Sequence, residues 1–303
     1  MSLLHQFRAS VGRNAAPLAR LYIRYSPFGA GKRFLWERVK WRERNYVART
    51  QFNARMAGRS LDLVQSYIYY FGIWEPNLSA FIDRRLQGQA DRGFVDVGAN
   101  VGYFSLLAAR HLTKGSVLAV EAFPSIYDKL NANVKLNGFL NIRTVLCAAT
   151  DEERELQMFY AGPTNEGGTT SLTGRFATDP IHVSGKPLSA IITAEEIARI
   201  RLIKIDVEGG EYRVIQGMRP IIPGLRADAE IIVEVTPEML GARSVAAIFD
   251  LFSTEGYFAY VLVNSYEAKY YLDASSITRP RRLRSLPSSQ SDIIFSKIDA
   301  EYL

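Results

Sequence analysis

The chain has 303 residues, 48 % of them hydrophobic and 22 % charged, with a net charge of +6. That balance excludes a mainly disordered chain, and no uncharged apolar run reaches the roughly 18 residues a spanning helix needs. A single cysteine, Cys147, cannot form an internal disulfide, so the chain suits a reducing compartment, and Met1 to Ser10 does not read as a secretory signal.

Charge is unevenly spread. Residues 1–60 hold 13 Lys and Arg against 2 acids, whereas the other 243 residues hold 24 against 29. A basic arm is attached to a mildly acidic body. The arm mixes arginine and lysine with Phe34, Trp36, Trp41 and several tyrosines, and residues 1–64 are expected to be a mainly helical extension. Three roles fit it: a peripheral helix on an anionic lipid surface, a contact to a phosphate-rich glycan or nucleic acid, or a solvated extension packed on the body or on another subunit.

From Arg92 onward, strand-like and helix-like stretches alternate, the pattern of a parallel sheet covered on both faces. Gly93 to Val97 predicts the first strand, Val101 to His111 the first helix, and Ser116 to Phe123 the second strand. Pro124 to Asn137 predicts a helix with Pro124 in its first turn and Gly138 just past its end. Asn141 to Ala148 is strand-like. Glycines and prolines then break the rhythm over 151–190, which reads as an inserted loop or small hairpin region. A helix over Thr193 to Arg199 follows, then a buried strand Leu202 to Asp206, a helix Glu211 to Met218, a strand Glu230 to Val235 and a helix Ser244 to Glu255. Tyr257 to Asn264, Lys269 to Leu272 and Asp292 to Phe295 are strand-like, suggesting an antiparallel closing pair at one sheet edge.

Residues 94–105, FVDVGANVGYFS, join a strand, an acid and a glycine turn to a helix start. Gly98 and Gly102 leave room where a Cβ would collide, and Asn100 tolerates a left-handed backbone. A dinucleotide fingerprint would place glycines at 98, 100 and 103, but Asn100 and Tyr103 stand there, which disfavours tight diphosphate docking. Asp96 at the strand end suits a ligand ammonium group. Glu121, ending the next strand, suits both hydroxyls of a ribose. Ala122 follows, and Phe123 offers a ring to a base. Together these needs suit S-adenosylmethionine.

The second signal is residues 202–217, LIKIDVEGGEYRVIQG. Asp206 ends a buried strand, where ligands lie in an open α/β sheet. Glu208 points to the same side if the backbone stays extended. Glu211 falls in the first turn of the next helix, where a negative charge is favoured without any further role.

DVGANVG, Glu121 and IKIDVEGGEYRVIQG resemble the FkbM family of S-adenosylmethionine-dependent methyltransferases. FGIWEP (Phe71 to Pro76), GGTTSL (Gly167 to Leu172) and SDIIF (Ser291 to Phe295) resemble that family too. The resemblance covers roughly residues 65–297. It implies a class I methyltransferase domain over 65–303: a Rossmann-like α/β fold whose seven-stranded, mostly parallel sheet has one antiparallel strand and helices on both faces. It also implies O-methylation of a sugar or secondary metabolite.

A neutral alcohol is a poor nucleophile, and a carboxylate within hydrogen-bond reach can take its proton as the new bond forms. Asp206, Glu208 and Glu234 are the candidate bases. The same three could instead hold a divalent cation that lowers the hydroxyl's pKa. His182 lies in the insertion and is a candidate against an ordinary loop role. His111 ends a helix, where a cation complements the dipole, and His5 lies in the arm. Thr169, Thr170 and Ser171 could bond a polyhydroxylated acceptor or simply make a turn. Glu75-Pro76 starts a helix that could close over the methionine end of the cofactor.

The expected function is O-methylation of a hydroxyl on a saccharide, glycan precursor or related metabolite at the cytoplasmic side, with the arm suited to the inner face of a membrane. Two rivals stay open: a catalytically silent cofactor-binding module docked to a membrane assembly, and N-methylation of an amino sugar. Nucleic acid is the weakest partner, since no RNA-reading aromatic motif is present.

Overall fold

The structure, a computed structural model, describes residues 17–26, 28–40, 42–172, 174–176, 178–272 and 277–303. His5 and Trp41 lie outside them. Helices α1 (residues 17–25) and α2 (Lys32–Val39) lead into an antiparallel hairpin of β1 (Asn45–Arg49) and β2 (Arg55–Arg59). The segment expected to be mainly helical is therefore mixed. Asn53 turns the chain back at φ 68, a conformation that asparagine tolerates, and the Thr50 hydroxyl accepts the Ala54 N–H at 3.0 Å.

Helices α3 (Leu63–Phe71) and α4 (Pro76–Leu86) precede the alternating body: β3 (Gly93–Val97), α5 (Tyr103–Ala109), β4 (Ser116–Glu121), α6 (Pro124–Asn137) and β5 (Ile142–Leu146). The inserted region holds β6 (Ala148–Thr150), β7 (Arg154–Met158) and β8 (Ile181–Pro187), a separate sheet in the order β6-β8-β7. Then come α7 (Leu188–Ile191), α8 (Ala194–Arg199), β9 (Ile200–Ile205), α9 (Glu211–Met218), β10 (Glu230–Val235), α10 (Pro237–Leu240), α11 (Ala242–Thr254), β11 (Phe258–Leu262), α12 (Ala268–Leu272), β12 (Arg281–Arg282) and β13 (Ser291–Ser296).

The main sheet runs β12-β11-β13-β10-β9-β3-β4-β5. Strands β5, β4, β3, β9 and β10 are parallel neighbours, and β13 inserts antiparallel between β10 and β11. This is the expected seven-stranded class I methyltransferase sheet with one reversed strand, extended by the two-residue β12. Every residue of β3, β9 and β10 is buried, as a strand covered on both faces requires. The pleat sorts them: Phe94, Leu202, Ile232 and Ile294 pack into one apolar layer, and Val95, Ile203, Val233 and Ile293 into the other.

One predicted strand is a helix. Lys269 to Leu272 lies in α12, although its tyrosines favour strands. Packing decides there: the Tyr271 ring lies 4.4 Å from Tyr67 and 5.4 Å from Phe71, centroid to centroid. No helix of the described residues is long and apolar enough to cross a membrane.

Candidate active site

Strand order reverses at β3, with β4 on one side and β9 on the other, so the loops at the carboxyl ends of these strands open a crevice. Gly98 turns out of β3 at φ 79, and a Cβ built on it would lie 1.8 Å from the Asp206 carbonyl oxygen. The expected collision is therefore with the chain itself. Gly98 lets the ends of β3 and β9 close, and the Asp206 N–H donates to the Val97 carbonyl at 3.1 Å. Gly98→Ala is expected to lose roughly 2–5 kcal/mol, from the left-handed backbone and the overlap together. Urea unfolding measures it, and a loss under about 1 kcal/mol would overturn this account of the loop.

Asn100 adopts φ 50, and its N–H donates to Glu121 Oε2 at 2.9 Å. The Phe123 N–H donates to Glu121 Oε1, also at 2.9 Å. Two backbone donors thus fix the carboxylate, and each oxygen keeps a lone pair for another donor. Burial raises the Glu121 carboxyl above its ordinary range, while these N–H groups pull it back.

Gly98, Asn100, Glu121, Ala122 and Asp206 all line one cavity of about 320 Å³. Asp96, Gly102 and Phe123 are not among its lining residues. Gly102, at φ 89, faces Leu130, whose Cδ1 would lie 2.6 Å from an added Cβ. The Phe123 ring stacks on Tyr160 at 5.4 Å and 20° instead of standing on the cavity wall. Asp96 is buried, with Oδ2 accepting from the Ser105 hydroxyl at 2.6 Å and Oδ1 without a hydrogen-bond partner among the described residues.

The acid-rich turn after β9 closes the other wall. Glu208 takes φ 55, so the backbone is kinked where an extended course was expected, yet the kink still turns Glu208 toward Asp206. One carboxylate oxygen each from Asp206, Glu208 and Glu234 lie within 4.8 Å of one another. Glu211 holds the turn: its Oε1 accepts the Val207 N–H at 3.0 Å, and the Gly209 N–H reaches both of its oxygens at 3.1 Å. Its structural reading stands.

Among the described residues, Lys204 is the buried cation at this cluster. Lys204 Nζ donates to Asp206 Oδ2 at 2.8 Å, and Asp206, Asp96 and Glu75 raise its pKa against the effect of burial. The other acids around it are raised as well, toward their neutral forms. Burial, then Asp206, raises Glu208 to about 7, opposed by Arg175 at 3.6 Å. Burial, then Asp206, brings Asp292 to about 7 as well. Burial and the neighbouring carboxylates push Glu234 and Glu75 well above the carboxylate range.

A model of the FkbM methyltransferase domain matches residues 96–259, more than half of the chain. The chain belongs to the FkbM methyltransferase family. It is 29 % identical to methyltransferase sdnD of Sordaria araneosa, over 41 % of this chain and 59 % of that one. It is 31 % identical to the 31-O-demethyl-FK506 methyltransferase FkbM of Streptomyces tacrolimicus, over 41 % and 58 %. With the hexuronic acid methyltransferase AglP of Haloferax volcanii it shares 25 % identity, over 44 % and 52 %. The chain thus spans between half and three-fifths of the length of these curated relatives.

S-adenosylmethionine is the cofactor of the FkbM methyltransferases, and the cavity fits it. Glu121 presents a carboxylate already braced by two N–H groups, and Gly98, Ala99 and Asn100 line the cavity beside it. Several lining residues carried no clear signal in the sequence. Lys204 sat inside an apolar run and Gln290 in a polar loop. Tyr266 donates to Glu75 Oε1 at 3.1 Å and lies 3.4 Å from Glu234 Oε1, while Gln290 Nε2 donates to Glu234 at 2.6 Å. Glu75, expected at the start of a helix that could close over the methionine end of the cofactor, is buried at φ 42 on the cavity wall. Glu166 anchors the GGTTSL segment, accepting from Gln65, Lys129 and Tyr160. Thr169 and Ser171 line the cavity, whereas the Thr170 hydroxyl donates to the Glu208 carbonyl at 2.5 Å. His182 is exposed and paired with Glu155, away from the lining residues. His111 pairs with Asp83 at 2.8 Å.

Proposed function

We propose that this protein moves the methyl group of S-adenosylmethionine to a hydroxyl of a saccharide or related polyhydroxylated metabolite. The observation that carries the reading is the convergence of Asp206, Glu208 and Glu234 in the same cavity as Glu121. When bound, S-adenosylmethionine supplies a methyl activated by the sulfonium charge. The chain's residues must then grip the cofactor, aim the acceptor and take its proton. Glu121 receives the ribose hydroxyls. Lys204 Nζ occupies Asp206 Oδ2 at 2.8 Å, so Asp206 is suited to orienting the acceptor. Burial, then the neighbouring carboxylates, raise Glu234 well above its ordinary value, which favours the neutral form that can donate to an acceptor oxygen. Glu208, Asp292 and Glu211 are all brought to about 7, but of the three only Glu208 lines the cavity, and it is the base.

An acid-rich wall also favours oxygen over nitrogen. Carboxylates stabilise an ammonium ion, which has no lone pair to attack with, whereas they accept hydrogen bonds from a neutral alcohol. The relative from Streptomyces tacrolimicus, a 31-O-demethyl-FK506 methyltransferase, supports oxygen, and the one from Haloferax volcanii, a hexuronic acid methyltransferase, supports a saccharide. Incubation with methyl-labelled cofactor and separate glycan, protein and nucleic-acid fractions tests the reading, with NMR of the product giving the linkage. Label on oxygen of a glycan or small polyol is expected. Label confined to protein or nucleic acid, or linked to nitrogen, would remove it, and cofactor binding without turnover on any fraction would favour a silent module.

The spacing of the three carboxylates favours a second reading, in which they hold a divalent cation beside the acceptor hydroxyl. Magnesium would then raise the Tm of the wild type but not of Glu234→Gln, and a chelator would abolish turnover. No shift and full activity in chelator would leave the metal-free base.

A further inference from the structure

Helix α1 buries Ala19 and Ile23 against the body, and among the described residues a second apolar stripe is left uncovered. Leu18, Leu21, Tyr22 and Tyr25 stand at the i, i+3, i+4 and i+7 spacing of one helical face, and all four are exposed, Leu18 by 67 % and Tyr25 by 62 %. Phe28 at 71 % and Phe34 at 59 % extend the apolar surface toward α2. Isolated exposed apolar side chains are ordinary, but six within residues 18–34 form a surface that water alone does not favour. Cations are dense in the same stretch of chain, and two lie on its rings. Residues 17–44 hold eight Lys and Arg against Glu37 and Glu43, and both acids are paired within the arm, with Lys40 and Arg59. Arg38 lies over the Phe34 ring at 4.6 Å, and Arg24 over Tyr25 at 5.3 Å.

We propose that this face docks the protein on an anionic lipid surface. Leucine and aromatic side chains enter the headgroup boundary while the surrounding guanidinium and ammonium groups meet lipid phosphates. A second copy is the rival occupant, and charge argues against it, because a symmetric dimer would set one basic surface against another. The arm is also no loose tether. Trp36 of α2 packs edge-on against Tyr67 at 5.1 Å, and the Tyr67 hydroxyl donates to the carbonyl of Tyr266 on the cavity wall at 2.5 Å. Docking therefore holds the body and its cavity at the lipid surface as one packed unit.

Sedimentation of the full chain with vesicles of phosphatidylcholine, with or without phosphatidylglycerol, tests the proposal. Binding is expected only to the anionic vesicles and is expected to weaken as salt rises. The triple variant Leu21→Ser, Tyr25→Ser, Phe28→Ser should lose about tenfold or more in binding, and Arg33→Glu with Arg38→Glu should lose the preference for anionic lipid. Circular dichroism and Tm unchanged in these variants would show that the body remains folded. Wild type that stays in the supernatant, variants that bind as well as wild type, or a wild-type dimer that the triple serine variant dissociates would each overturn the proposal. Cofactor binding and turnover on a water-soluble acceptor do not depend on this face, so failure here is distinguishable from failure of the methyltransfer reading.

Discussion

Glu208→Gln is expected to lower kcat by roughly 10²–10⁴-fold, the range for losing a positioned general base, while S-adenosylmethionine binding measured by calorimetry changes by less than about threefold. The substitution keeps size and hydrogen-bonding reach and removes only the ability to hold a proton. Among the three converging carboxylates, Glu208 differs from Asp206 and Glu234 in its surroundings. Asp206 is paired with Lys204, and Glu234 is deeply buried between Gln290, Tyr266 and other acids. Burial and Asp206 bring Glu208 to about 7, with Arg175 limiting the rise. The pH profile carries the same signature. Below about pH 7 Glu208 is protonated and cannot act, so wild-type kcat should climb about tenfold per pH unit and flatten above it. Because the acids titrate together, that midpoint belongs to the cluster. The Gln variant should lose the slope as well as the rate. A variant retaining more than a tenth of wild-type kcat with the same profile would assign the base elsewhere.

The sequence made the sheet legible because its strands are apolar runs with acids at their carboxyl ends, and buried parallel strands have few other ways to be written. Glu121 and Asp206 were found by the same logic, since a carboxylate at such a strand end sits where ligands lie. What stayed hidden depended on distant pairing. Phe123 looked like a ring for a base, but Tyr160, from the inserted region, takes its face. Asp96 lies off the cavity wall with one oxygen on Ser105. Tyr266 and Asp292 come from the closing part of the chain and reach the same carboxylates as Glu75, about two hundred positions earlier. No local pattern reports contacts between segments so far apart. The hairpin at Asn45–Arg59 was missed for another reason: its basic and aromatic residues suit a helix surface as well as a ribbon, and only the Asn53 turn separates the two.

Lys204→Met is expected to destabilise the protein by roughly 3–5 kcal/mol at neutral pH, the loss found when one partner of a buried ion pair is removed. Methionine fills nearly the same volume, so the loss reads charge more than packing. Lys204 is the buried ammonium whose charge acts on Asp206, Asp96 and Glu75 together, and its Nζ also lies 5.1 Å from the Phe104 ring centroid. Without it Asp96 and Glu75 would shift further upward, since the lowering influence of Lys204 on both is lost. The sign of the pH dependence follows. A carboxyl whose folded pKa exceeds its unfolded value binds more protons in the folded state, so its contribution is present at low pH and is lost as pH rises through the folded value. The gap between wild type and Lys204→Met should therefore be widest near pH 8 and shrink toward pH 5, where protons replace the missing cation. Urea unfolding at both values measures it. A gap of the same size at pH 5 and pH 8 would mean that lost packing at position 204, and not the cation, explains the damage.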